Sequence, residues 1–164
     1  MFRLKRLSFE GIEQAVKMAE RYRLLNEPRQ AESICLDVLE VAPDDQRALI
    51  LLVLARTDQF TDESGARLGA ARELLPRIRG EYESAYYAGI VSERWAKAQL
   101  TKGGHGAGEI AYHGLREAMD WYEKAEKLRP AGHDEPVLRW NACARLITSH
   151  SLEPAADDFL PFLE

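Results

Sequence analysis

The chain has little that would cross-link it covalently, carry it through a membrane or hold it to a polyanion. Of its 164 residues only two are cysteines, Cys35 and Cys143, and each stands inside an apolar helical pattern. A free cysteine in that setting behaves as a small buried hydrophobe. No disulfide framework follows, which fits a reducing compartment. The longest aliphatic run, Ala48 to Ala55, is eight residues, far short of the ~20 that span a bilayer. Met1 to Leu7 is basic, but no apolar stretch of signal-peptide length follows it. A soluble, cytoplasmic protein with no membrane partner is expected. Dense positive charge is confined to Arg3, Lys5 and Arg6, too little for the clustered basic face that nucleic acid requires.

What is present reads as helix. Hydrophobic residues make up 46% and charged residues 30%, close to globular averages and against extended disorder. The net charge is -5, and residues 153–164 carry Glu153, Asp157, Asp158 and Glu164 with no basic residue, so four of the five excess negatives sit in the tail. Ser8 is placed to cap a first helix running to about Asn26, with Ile12, Ala15, Val16, Ala19, Tyr22 and Leu25 on its apolar stripe. Pro28 suits the first turn of a second helix ending near Val41. So short a connection folds the two back as an antiparallel hairpin. A third helix, about Asp44 to Thr57, is apolar nearly all round, as a helix packed on both sides must be. Its run Ala48–Ala55 has only two β-branched residues, which argues against a strand. A fourth ends near Leu75-Pro76, a fifth spans about Glu81 to Lys102, a sixth Glu109 to Leu128, and a seventh Asp134 to Ser149. No strand is predicted.

The helices recur. Ala118, Tyr122 and Ala125 precede Pro130 by twelve, eight and five residues, and Ala31, Cys35 and Val38 precede Pro43 by the same distances. Pro43 and Pro76 stand 33 apart, a period at which helix–turn–helix repeats stack. With Ala19 and Tyr22 on the first helix, these features resemble the tetratricopeptide repeat over roughly residues 12–148. The resemblance is three repeats plus a capping helix opened by Trp140-Asn141-Ala142-Cys143. It departs from the pattern in two places. The second copy has Ser64, Leu68 and Ala71 at the matching offsets, and Pro76 to Pro130 spans 54 residues. The extra twenty or so are expected in the lengthened fifth helix and in the glycine loop Gly103–Gly108.

The resemblance implies an all-α, right-handed superhelical array of antiparallel hairpins over residues 1–150, followed by an acidic, aromatic tail, 151–164. It also implies a non-catalytic scaffold that holds a protein or peptide in a concave groove lined by the first helix of each hairpin. Helical spacing puts Glu13, Lys17, Glu20 and Arg23 on that face of the first helix, and Glu83, Tyr87, Ile90 and Arg94 on that of the fifth. Arg23, Arg56 and Arg94 are the side chains suited to attract carboxylates, because a guanidinium fork matches their geometry. Tyr87 and Ile90 have a competing reading as packing residues between hairpins. Members of the family that clamp a chaperone C-terminus use a lysine and asparagines where this chain has Val16, Glu20 and Ile50. That adaptor role is not expected.

Other chemistries find little support. Gly103–Gly108 precedes a helix, but Glu109 and Ile110 follow where a phosphate loop needs lysine and a hydroxyl residue. A small-molecule or nucleotide-binding regulatory domain at this loop is one alternative. His105, Glu109 and His113 follow four-residue steps, yet glycines around His105 break the helix that would align them for a metal. Glu93, in the aromatic fifth helix, is the one candidate for a tuned acid if buried. Neither enzyme activity nor a cofactor is expected. A homo-oligomer using its tail is the other alternative, with the tail occupying the groove in the same or a neighbouring chain.

Overall fold

A computed structural model describes residues 1–62 and 66–155; Ser64 and the tail beyond Ala155 lie outside the described residues. The chain is an all-α array of helix hairpins, with seven α-helices and no strand among the described residues. They are α1 (Ile12–Leu24), α2 (Pro28–Val41), α3 (Gln46–Thr57), α4 (Ala66–Arg72), α5 (Glu81–Lys102), α6 (Ala107–Leu128) and α7 (Glu135–Ser149). Within hairpins α1 packs on α2, α3 on α4 and α5 on α6, and the first helices touch in the order α1, α3, α5. No described helix is long and apolar enough to cross a membrane.

Local chemistry sets the boundaries. Ser8 caps a short 3-10 turn, Phe9–Gly11, by accepting from the Gly11 N–H at 3.2 Å. The α-helix therefore starts at Ile12, later than the capping serine predicts. Asn26 takes the left-handed turn at φ 60°, a conformation asparagine tolerates, and Pro28 opens α2. Asp45 caps α3, its Oδ1 accepting from the Ala48 N–H at 3.0 Å. Helix α4 has 7 described residues, and a 3-10 turn at Leu75–Arg77 replaces its expected last turn at Leu75-Pro76. The inserted residues are divided otherwise than expected. They lengthen α5 and α6 alike, to 22 residues each, and leave only Gly103–Gly106 as the link.

The core is in two parts. Ile12, Val16, Ala19, Val38, Leu49 and Leu52 belong to a cluster under α1–α4, while Leu115, Ala118, Met119 and Tyr122 pack with Ile90 and Cys143 between α5, α6 and α7. Tyr87 touches both. Leu25, expected on the apolar stripe of α1, is 64% exposed because α1 ends one residue earlier. The α5–α6 approach is closer than side chains on both helices would permit. A Cβ on Gly89 would stand 2.5 Å from Tyr122 Cε1, and one on Gly114 would stand 2.9 Å from the Ala96 Cβ. Glycine here is a spacing requirement, since the backbone itself is ordinary helix.

Two glycine substitutions should therefore move stability in opposite directions. Gly89→Ala forces the Tyr122 ring out of its seat and is expected to cost about 1–3 kcal/mol. Gly69→Ala, in α4 with nothing within 4 Å of the new Cβ, is expected to stabilise by about 0.5–1 kcal/mol. Urea unfolding of both variants beside the parent chain checks the pair.

Candidate binding face

Three carboxylates each tie three helices together, and they decide which cations remain to meet a ligand. The first is Glu32 on α2. Its Oε1 accepts from Arg56 Nε at 3.1 Å, and its Oε2 from Gln59 Nε2 at 2.8 Å and Arg67 Nη1 at 3.0 Å. Arg56 also donates to the Ala70 carbonyl at 2.7 Å. Burial works to raise the Glu32 pKa, but the bonds from Gln59 and Arg56 outweigh it and leave it lowered. Arg56 is thus a clamp among α2, α3 and α4, not a neighbour of Arg23 and Arg94.

The second carboxylate is Asp58, at the C-terminal end of α3. Arg94 Nη1 on α5 donates to its Oδ1 at 2.6 Å and to Thr57 Oγ1 at 2.8 Å. Arg23 on α1 reaches the same group: Nη2 donates to Oδ1 at 3.3 Å, and Nε lies 2.6 Å from Oδ2, a contact with the distance of an ion pair but not the angle of a hydrogen bond. Asp58 thereby joins α1, α3 and α5 in one row. Arg94 is held below its ordinary pKa chiefly by burial; Asp58 opposes that shift, while Arg23 and Arg139 add to it.

The third is Glu93, one residue before Arg94 and fully buried. Tyr122 Oη on α6 donates to its Oε2 at 2.6 Å, Lys97 Nζ on α5 donates to Oε1, and Arg139 Nη1 on α7 donates to Oε1 at 3.3 Å. Burial alone would raise the Glu93 pKa; the bonds from Lys97 and Tyr122 overcome it and hold the carboxyl below its usual range. The side chain is buried as a tuned acid would be, but the direction is that of a permanent anion. The Tyr122 phenol is pushed far up by the same burial and charge.

Arg23, Asp58, Arg94, Lys97, Glu93 and Arg139 thus form one electrostatic group, with four cations sharing two carboxylates. Lys97 and Arg139 stay 45% and 34% exposed. Beside them a cavity of about 230 Å³ is lined by Thr57, Phe60, Thr61, Arg94, Lys97 and Thr101. Of the residues expected on this face, Arg23, Tyr87 and Arg94 come together. Tyr87 is half-buried; burial raises its phenol pKa, Tyr86 and Glu83 add to the shift, and the Arg23 charge opposes it without reversing it. Ile90 is buried in the α5–α6–α7 cluster as a packing residue. Lys17 is exposed and 3.9 Å from Glu13, which pairs in turn with Arg47 at 2.5 Å; Glu20 is exposed on the same helix. Asp58, Lys97 and Arg139 were not anticipated, although the four-residue step from Glu93 to Lys97 was visible.

The glycine loop is occupied with turning the chain. Gly103, Gly104 and Gly106 have φ of 67°, 95° and 76°, and a Cβ on any of them would meet nothing within 4 Å. The positive φ alone accounts for glycine at these three positions. Leu152 lies over Gly108, 3.7 Å from where its Cβ would be. His105 is exposed, and His113 packs edge-on to Tyr112 at 5.6 Å between ring centres.

Because Glu32 and Glu93 have lowered pKa values, their contribution to stability is present above the unfolded carboxylate range, near 4.3. It is lost as pH falls through their folded values. Glu93→Gln is expected to cost about 1–3 kcal/mol at pH 7, at the modest end because Lys97 and Arg139 keep access to water. The variant should also lose part of the parent's decline between about pH 5 and 2, which denaturant unfolding across that range would measure.

No protein-family model matches the sequence, and no curated protein is significantly similar to it.

Proposed function

We propose that the protein is a non-catalytic interaction module of tetratricopeptide-like hairpins, which holds an acidic peptide or helix against the face formed by α1, α3 and α5. One observation carries the reading: four cations share two carboxylates around Arg94, so this cluster keeps an excess of two positive charges in a chain of net charge -5. Such a local field of opposite sign draws and orients an anionic partner more than it adds raw affinity. Arg94 is pre-aimed by Asp58 and Thr57, so little side-chain freedom is lost when a ligand carboxylate arrives. Tyr87, half-buried, supplies apolar surface beside the charges. An acidic segment with an aromatic or aliphatic anchor matches that composition.

The test is a set of fluorescent peptides of equal length, acidic-aromatic, neutral and basic, titrated against the full chain. Only the acidic-aromatic peptides are expected to bind, weakening about tenfold between low and physiological salt. Lys97→Glu should reduce affinity by about tenfold or more, while Lys124→Glu, an exposed lysine on α6, leaves it unchanged. Equal binding of all three peptide classes, or equal loss at both lysines, would remove the basis of the proposal.

A further inference from the structure

The last position of the array differs from those before it. Helices α1, α3 and α5 each have a following helix packed on them, whereas α7 is followed among the described residues only by residues 150–155. Between the C-terminal half of α6 and α7 this leaves a notch of about 590 Å³, lined among others by Glu123, Glu126, Lys127, Val137 and Trp140. Trp140 is half-buried in it and donates from Nε1 to Glu123 Oε1 at 3.0 Å.

A similar notch occurs between α2 and α3, and there a third segment of the chain lines it. Leu36, Leu39 and Glu40 stand seven, four and three residues before Pro43; Glu123, Glu126 and Lys127 stand at the same offsets before Pro130. Leu52, nine residues after Pro43, and Trp140, ten after Pro130, supply the wall from the next helix. In the inner notch Glu73, Leu74 and Arg77 close the remaining side, and the space is reduced to about 410 Å³. Leu74 and Ile78 are buried and anchor that covering segment.

The covering segment reads Glu73-Leu74-Leu75-Pro76-Arg77-Ile78. The chain has two Leu-Pro steps, and the second repeats this order of chemistry in Asp158-Phe159-Leu160-Pro161-Phe162-Leu163. Each copy has an acid, an apolar residue, leucine, proline, a variable residue and an apolar residue. We propose that Asp158–Leu163 seats in the α6/α7 notch against Trp140 and closes the array, as Glu73–Ile78 does between α2 and α3.

Size, charge and reach agree with that occupant. The outer notch is larger, and phenylalanines replace leucine and arginine in the segment offered to it. Lys127 stands where the inner notch has Glu40, and Asp157 and Asp158 bring the opposite charge. Leu152 lies over Gly108, and Glu123 is fifteen positions further along α6, about 22 Å at the rise of an α-helix. The eight steps from Leu152 to Leu160 span up to about 26 Å when extended. The chain beyond Leu152 is therefore long enough to reach the notch within its own molecule.

Disulfide trapping in the full chain tests this. Val137→Cys is paired with Leu160→Cys, and a second notch pair, Asn141→Cys with Leu163→Cys, covers failure of the first to fold. Gln30→Cys with Leu160→Cys is the control, since Gln30 is exposed on α2. The native Cys35 and Cys143 are buried, with thiols pushed up to about 12 by that burial, so they compete little under mild oxidation. Monomeric disulfide is expected about tenfold faster or more in the notch pairs than in the control, as a seated segment raises the local thiol concentration. Equal rates in all pairs, or disulfide-linked dimers as the main product, would overturn the proposal; dimers would place the tail of a second copy in the notch.

Discussion

A carboxylate inside a protein must be surrounded by donors, and Glu93 sets that demand at the middle of this array. Its own helix supplies Lys97, α6 supplies Tyr122 and α7 supplies Arg139. Leaving any of them out would strand a charge in the interior, which costs far more than the bond contributes when made. The positions of α5, α6 and α7 are therefore coupled. Gly89 is part of the same solution, because only a residue without a Cβ lets the Tyr122 ring come close enough for its hydroxyl to reach Glu93. Apolar burial drives the hairpins together, and the carboxylate selects among the ways they could pack.

The same device appears three times. Glu32 ties α2, α3 and α4; Asp58 ties α1, α3 and α5; Glu93 ties α5, α6 and α7. Every helix of the array meets at least one of these centres. They differ in what they leave over. Glu32 binds its arginines at side chains only 16–18% exposed, with Arg56 further held by the Ala70 carbonyl. Glu93 binds cations that retain more solvent access, Lys97 at 45% and Arg139 at 34%.

Much of the fold could be read from the residues. The apolar stripes of α1, α2 and α6 follow helical spacing, and Pro28 and the glycines after Lys102 punctuate as they should. Helix α3 reads as buried because its run from Ala48 to Ala55 leaves no polar face. The face itself was half legible. Arg23 and Arg94 fall on it by spacing alone, but Arg56 shares their chemistry and turns to α2 and α4 instead, which depends on where Glu32 lies in three dimensions. A glutamate four residues before a lysine ordinarily signals a solvated surface pair; that Glu93 is buried follows from the Tyr122 and Arg139 contacts, 29 and 46 residues away. The glycine loop drew attention by composition, yet its glycines answer to backbone turns with open space around them. Local pattern fixes helices well and leaves long-range pairing of charges undetermined.

That the α1/α3/α5 face holds a partner is our proposal. The most direct measurement is a set of NMR spectra of the full chain, labelled at backbone amides and arginine Nε, recorded while an acidic-aromatic peptide is added. Progressive shifts centred on Arg23, Thr57, Tyr87, Arg94 and Lys97, with α2 and the outer side of α6 unmoved, are the predicted result. Shifts confined to the notch around Trp140, or none at saturating peptide, would contradict the account.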